Sequence, residues 1–562
     1  MSRVLGLVPV LILGLVAAVA LVGCGSSDDG ATATAGAGGS SADSGATEAG
    51  DAAAAADSSG SGGTLTIAMS AGNIPIPEQF QTEGGEGRRF VGVNVYDGLL
   101  NWDAAQGDEP PKPIPGLAES YEVADDNLTW TFHLRQGVTF HDGTPFDASS
   151  VMFSLDRIMD EGFEYYSGTM AASGASSVAQ IASYRQIDQW TFEIVTKRPW
   201  AFLVYDVALI SIVSPTAVET YGNDDYAQFA VGTGPFKIDR YVDGQVMELV
   251  PFEDYWGGAP KLDRLILRPM PEPATRLAAL QSGEVDWAEV PPPDSIELLE
   301  AGGYNILLKG YPHIIIYALN LYRAPFDDAR VRQAVAYGID REGMMSIINN
   351  VGIPADQYFY EGHPWRDESF EGYTYDPERA KELLAEAGYA DGLEITVPYP
   401  SGGSGNMFPG PMNEKFQQDM AAIGIEVNIV PLEWNTILTI FRAGFGSAEN
   451  MQYDAMYFSP NTQAPMFAFG TFLTDRIPPA GCCNMMGYSN PEADAVMEQA
   501  AATFDLDAQN VLLREFQGIF IREAPAVPVT HDLNLRVLSP QVRGWVQPQS
   551  WWGDFKSVWV AE

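Results

Sequence analysis

Positive charge is the scarcest resource of this sequence. Against 74 Asp and Glu stand only 31 Lys and Arg, a formal net charge of −43. Nucleic acid needs its phosphates neutralised by Lys and Arg, so this balance argues against such a partner. Thiols are almost missing, with three Cys in 562 residues. The five His, at 133, 141, 313, 363 and 531, have no ligand-like neighbours at metal spacing. No Gly-Lys pair exists, hence no Walker A loop, and no His-Glu-x-x-His sets two imidazoles on one helix face. The body also lacks a Gly-x-Ser-x-Gly elbow. Acidic residues are so numerous that no carboxylate pair stands out as acid and base. The expectation is a chain without catalysis, metal or cofactor.

What is present is apolar and aromatic. With 46% apolar and 11% aromatic residues over 562 positions, the chain folds, and it is too long for one ordinary core. Its start is different. Arg3 precedes an apolar run from Val4 to Val22, and Leu21-Val22-Gly23-Cys24 resembles a bacterial lipobox. Residues 1–23 are then a lipoprotein signal peptide and Cys24 the lipidated residue; an uncleaved anchor is the alternative. Both send the rest of the chain out of the cytoplasm, anchored to the cell membrane. Residues 24–63 hold no aromatic residue and cannot offset their ordering entropy, so they form a tether spanning roughly 35 Å. Folding begins near Thr64.

From there the pattern is mixed α/β. Thr64–Met69 alternates like a strand, as do Leu128, Trp130, Phe132 and Leu134, and then Phe192 and Ile194. Asp376-Pro377 supplies an N-cap and an N1 proline, followed by the stripe Ala380, Leu383, Leu384 and Ala387 before Gly388. Asn490-Pro491 repeats that punctuation. Pro325-Phe-Asp-Asp328 opens a further helix with Val331, Ala334 and Val335 on one face. Ile425–Val430 reads as a strand following a helix.

Several longer motifs occur in series. Leu117-Ala-Glu-Ser-Tyr-Glu-Val123 is followed by Leu128-Thr-Trp-Thr-Phe-His-Leu-Arg-Gln-Gly-Val-Thr-Phe-His-Asp-Gly-Thr-Pro-Phe146. Asn94–Leu100, Gly232-Thr-Gly-Pro-Phe236, Pro325–Val335, Tyr375–Leu384 and Gly487–Glu492 extend the set. On these motifs the chain, from Thr64 to its end, resembles the extracytoplasmic solute-binding proteins of the dipeptide/oligopeptide/nickel family, which feed ABC importers. The resemblance implies a large two-lobed clamp with a small extra subdomain, at about 101–229, inserted in lobe I. Lobe I would span 64–317, lobe II 318–524, and 525–562 would return to lobe I. Ligand would bind in the cleft, with closure by hinge rotation. The partners implied are an ABC permease and ATPase, with the receptor itself a monomer. In the same light Phe140–Gly143 is a turn and Gly232–Pro235 loop geometry.

Dipeptide binders of that family hold the ligand ammonium with an Asp in a Trp-x-x-Asp-x-x-x-Pro-like stretch. Here the matching segment is Phe458-Ser-Pro-Asn461-Thr-Gln-Ala-Pro465, which puts an amide in place of the carboxylate. The loop expected to carry an Arg for the ligand carboxylate, 398–411, has no Arg or Lys. Free dipeptides are therefore disfavoured. Aromatic and amide groups remain: Trp434, Tyr457, Phe458, Asn461 and Asn484 are the expected ligand contacts. They suit an oligopeptide or, alternatively, an oligosaccharide stacked on Phe458. An extracellular hydrolase on the same anchor is the reading from another class. Cys482-Cys483 leaves two readings open, since adjacent Cα atoms lie about 3.8 Å apart, below the usual disulfide range. They are two small buried residues, or a vicinal disulfide that stiffens a loop facing ligand. Trp551-Trp552 is assigned to the lobe I core.

Overall fold

The computed structural model describes residues 60–562 apart from 73, 75–87, 108, 404 and 551. The expected signal peptide, Cys24 and nearly all of the tether lie outside the described residues, as does Trp551. Among the described residues no helix is long and apolar enough to cross a membrane.

Two large sheets carry the chain. The first has seven strands, in the order Asn305–Leu307, Arg536–Leu538, Trp287–Glu289, Thr64–Met69, Arg264–Pro269, Val246–Pro251 and Phe236–Val242. Thr64–Met69 lies at its centre and pairs in parallel on both sides. The second has four antiparallel strands, Gly352–Pro354, Ala526–Asp532, Ile314–Leu319 and Ala455–Phe458. The sequence Ile-Ile-Ile-Tyr-Ala-Leu is apolar without alternation because both faces of that strand are covered, and every residue in it is buried. Each such isoleucine is worth about 1.5–3 kcal/mol relative to an exposed one. A parallel pair, Leu393–Pro400 with Ile425–Leu432, is tied to this sheet where Thr396 N–H donates to Asp454 Oδ2 at 2.8 Å and Asp454 N–H returns to Thr396 O at 2.9 Å.

A third sheet, Ala118–Val123, Thr129–Leu134, Thr191–Thr196 and Ile181–Asp188, falls in sequence between the first sheet's strands Thr64–Met69 and Phe236–Val242. Its alternation works as the sequence suggests: Trp130, Phe132, Leu134, Phe192 and Ile194 are all buried.

Helix starts follow their caps. Asp376 accepts from Arg379 N–H at the head of Pro377–Glu386, and Asn490 accepts from Glu492 and Ala493 N–H at the head of Pro491–Ala501. Asp328 caps Ala329–Gly338, whose Val331, Ala334 and Val335 are fully buried. Each cap contributes about 1 kcal/mol. Phe140–Gly143 is a turn closed by Gly143 N–H to Phe140 O at 2.9 Å. Gly232 is obligatory for a steric reason, since a Cβ there would lie 2.1 Å from Val95 O. Trp552 is buried and packs 4.7 Å from Trp102.

The chain passes between the two large sheets twice, between Leu307 and Ile314 and again between Asp532 and Arg536. These crossings lie close to the boundaries read from the sequence, at 318 and 525, without coinciding with them. A division at 318 cuts through strand Ile314–Leu319, and a return at 525 would place Ala526–Asp532 in the first sheet. That strand instead hydrogen-bonds to Ile314–Leu319 in the second. Its apolar first half, Ala526–Val529, marks it as buried, but nothing in Ala-Val-Pro-Val-Thr-His-Asp says which sheet buries it.

Candidate functional site

The strand Ala455–Phe458 sends alternate side chains to opposite faces, which separates two of the expected ligand contacts. Tyr457 points into the core beneath the parallel pair, is fully buried, and donates its hydroxyl to Asn406 O at 2.8 Å. Phe458 points the other way. Its ring stacks on Phe441 at 4.6 Å and 19°, and on Trp434 at 6.2 Å and 16°. The ring is thus packed against two aromatic rings of its own chain, and only 5% of the residue is exposed. Trp434 is half-buried at the start of helix Trp434–Ala443.

Asn484 is fully buried and wholly engaged. Its Nδ2 donates to Leu473 O at 3.0 Å and Tyr488 O at 2.7 Å; its Oδ1 accepts from Gly487 and Tyr488 N–H. Those four bonds exhaust an amide's capacity, which leaves nothing for a ligand. The residue organises its own loop. Cys482 and Cys483, just before it, are joined by a disulfide, and Cys482 is exposed rather than buried. Neither lines the cavity described next. Asn461 is half-buried; its Oδ1 accepts from Gln463 N–H at 2.7 Å, and its Nδ2 is buried with no hydrogen-bond partner.

The residues just after Asn461 lead to open space. Thr462 and Gln463 line a cavity of about 310 Å³ together with residues of the segments 109–112, 310–312 and 360–365 and with Tyr205, Leu506, Asn510 and Gln549. Gly310, Tyr311 and Pro312 belong to the stretch where the chain leaves the first sheet for the second. The cavity therefore sits at the crossing and draws its wall from both parts of the chain. Thr462 N–H donates to Pro312 O at 2.7 Å and pins the two sides together there.

Aromatic faces dominate this wall, and amides hold them. Tyr360 Oη–H donates to Gln549 Oε1 at 3.2 Å, and Trp365 Nε1–H donates to Asn510 Oδ1 at 2.8 Å. Tyr311 stacks on His313 at 4.8 Å and 18°. Burial, helped by the neighbouring His531, pushes His363 down to about 3, so that wall residue is neutral. Among the described wall residues, charge appears at one margin. Glu109 and Lys112 pair at 2.8 Å, with side chains 65% and 64% exposed. Among the described residues no group of His, Cys, Asp and Glu is placed to hold a metal ion.

Close to the crossing lies a second set of charges, entirely internal. Glu289 receives Arg89 and Arg536, the latter at 3.0 Å, and also accepts from Ser70 N–H at 2.9 Å. No side chain of this triad is more than 4% exposed. Arg536 in turn lies over the Tyr311 ring at 6.0 Å. Burial raises the Asp532 carboxyl to about 7, against the pull of the Asn534 N–H and of Arg89. Burial, reinforced by Arg89, lowers His313 to about 3.

None of these wall residues was singled out by sequence motifs. The signal that was there is Glu109-Pro-Pro-Lys112, an oppositely charged pair held apart by two prolines, but nothing local marks it as facing a cavity.

Comparison with known proteins gives the context. Residues 112–476 match the family described as bacterial extracellular solute-binding proteins, family 5 Middle. The heme-binding protein A of Haemophilus influenzae is 31% identical over 494 residues, covering 83% of this chain and 87% of that protein. The glutathione-binding protein GsiB of Salmonella paratyphi A is 30% identical over 477 residues, covering 82% and 88%. In fold the chain is similar to the periplasmic binding protein DppA of Helicobacter pylori in complex with the peptide STSA. That match has a TM-score of 0.78 and 24% identity, covering 89% of this chain and 99% of the other. The chain belongs to the family 5 bacterial extracellular solute-binding proteins, two-lobed α/β substrate receptors of ABC importers of the peptide family.

Proposed function

We propose that this receptor captures a short peptide or peptide-like molecule in the cavity at the crossing and presents it to an ABC permease, without chemical change to the ligand. The carrying observation is the cavity itself. Its wall comes from both parts of the chain, so a molecule that fills it touches both at once. Its volume, about 310 Å³, stands at the lower end of the ~300–1,000 Å³ usual for small-molecule sites, which favours a ligand of a few residues over a long oligomer. Aromatic faces with amide hydrogen-bonding groups suit an amphipathic ligand with peptide bonds.

Lipidation at Cys24 would hold the receptor at the outer face of the membrane, with residues 24–63 as its leash. The sheet Ala118–Val123 to Ile181–Asp188 is the inserted subdomain of lobe I in this reading. Ligand contacts pass from the Trp434 and Phe458 group to Tyr311, Tyr360 and Trp365.

The test is mass spectrometry of small molecules released by denaturing protein purified from its native host. Short peptides or peptide conjugates are the expected result. Hexose oligomers would overturn the reading in favour of sugar uptake. Protein that emerges empty goes to a thermal-shift screen against both ligand sets, where stabilisation by the true ligand should reach about 2.7 kcal/mol at a hundredfold excess over Kd.

A further inference from the structure

We infer that residues 198–206 form a latch, which grips helix Pro491–Ala501 and the loop after it and holds the clamp shut beside the cavity. The inference goes beyond the reading of the cavity and holds for whatever the cavity takes.

The two gripping segments hang from different sheets. Residues 198–206 follow strand Thr191–Thr196 of the third sheet, which falls in sequence between strands of the first. Helices Pro491–Ala501 and Leu506–Glu523 lie between Ala455–Phe458 and Ala526–Asp532 of the second. The chain joins these parts through the two crossings, yet in space the segments touch directly. Ala201 N–H donates to Ala501 O at 2.6 Å. Ala501 ends its helix, so its carbonyl is among the four that a helix leaves without an internal partner. Arg198 Nη1 and Glu498 Oε1 lie 3.4 Å apart. The Phe504 ring reaches the third sheet itself, 5.8 Å from Trp130.

This contact borders the cavity. Tyr205, from the latch, and Leu506 and Asn510, from the helix after the gripped loop, all line it, as do Tyr311 and Pro312 at the first crossing. Turning of the two parts about the crossings therefore separates Ala201 from Ala501 and opens that stretch of wall. The grip is releasable. The Glu498 side chain is 70% exposed and Phe504 37%, so these contacts break without unfolding either part. The receiving side is braced in advance. Gln509 Nε2 donates to Ala500 O at 3.3 Å and to Thr503 O at 2.8 Å, which fixes the loop between the two helices. A loop already formed lets the grip close again without ordering cost.

Hydrogen exchange read at single amides of the purified, dialysed full chain tests this. Ala201 reports the latch, while Leu134, bonded to Trp190 O, and Leu319, bonded to Pro525 O, report the interior of each part. Corrected for intrinsic rates, Ala201 should exchange at least about tenfold faster than both, because opening costs less than unfolding. Phe504→Ala should speed Ala201 by about a further fivefold and Arg198→Gln by about twofold, with Leu134 and Leu319 unchanged within about twofold. Small-angle X-ray scattering separates turning of whole parts from fraying at residue 201. The double variant Arg198→Gln, Phe504→Ala should have a larger radius of gyration than the parent. The latch is overturned by an Ala201 as slow as the interior amides or indifferent to both variants, by a rise that all three amides share, or by an unchanged radius of gyration.

Discussion

Two regions near the crossing are built from the same residue types and differ in what they leave over. In the interior, Arg89, Glu289 and Arg536 satisfy one another, Phe458 stacks with Phe441 and Trp434, and Asn484 uses all four of its hydrogen-bonding positions. Around the cavity, Glu109 and Lys112 pair in solvent, and Tyr360 and Trp365 line open space with their polar atoms bonded to Gln549 and Asn510. Residue type does not separate the two regions, and both bond their polar groups within the chain. The distinction is whether those groups also border open space.

Substitutions can break or sharpen that contrast. The largest effect is expected at Glu289. Glu289→Ala leaves two buried guanidinium groups without their anion and should lose about 3–5 kcal/mol in urea denaturation. A loss under 1 kcal/mol would mean the triad is not holding this region together. Phe458→Ala should cost about 3–5 kcal/mol through the cavity it leaves, while ligand affinity stays within about twofold. A tenfold fall in affinity would instead move Phe458 into the recognition group.

Asp532 sharpens the contrast through pH. Its carboxyl is pushed up to about 7 from an ordinary 3.8. Between those values the folded chain keeps a proton that the unfolded chain has released, so this group's contribution to stability falls as pH rises through the window. Asp532→Asn removes that dependence. Its stability relative to the parent should be greater at pH 8 than at pH 4, and equal differences at both would show that the carboxyl titrates normally.

On the cavity side the order reverses. Tyr360→Ala should weaken the ligand identified by mass spectrometry by about tenfold, measured by titration calorimetry, since an aromatic face and a bond to Gln549 go together. Lys112→Gln should change unfolding free energy by less than about 0.5 kcal/mol, as for other exposed ion pairs.

Much of the fold was legible because its signals are local. A strand's alternation, as in Trp130, Phe132 and Leu134, and a cap such as Asp376 before Pro377 are set by neighbours within a few residues. The family resemblance was legible for the same reason, as runs of contiguous motif. The sheet boundaries were less so, because a fully buried strand such as Ala526–Asp532 reads alike in either sheet. The cavity was not legible. Glu109, Tyr205, Tyr311, Trp365, Gln463 and Gln549 come from six separate segments that meet only in three dimensions. Motif spacing around Pro465 pointed to Asn461, and its neighbours Thr462 and Gln463 line the cavity. The four hydrogen bonds that Asn484 makes within its own loop are invisible in the sequence, where it is only an amide beside aromatic residues.

Tyr311 belongs at once to the wall of the cavity and to the strip of chain that joins the two large sheets. In the proposed reading, a guest in the cavity would lie beside the joint itself. Its thickness would then act as a shim on any turning of the two halves, and the outer shape would become a gauge of what the cavity holds.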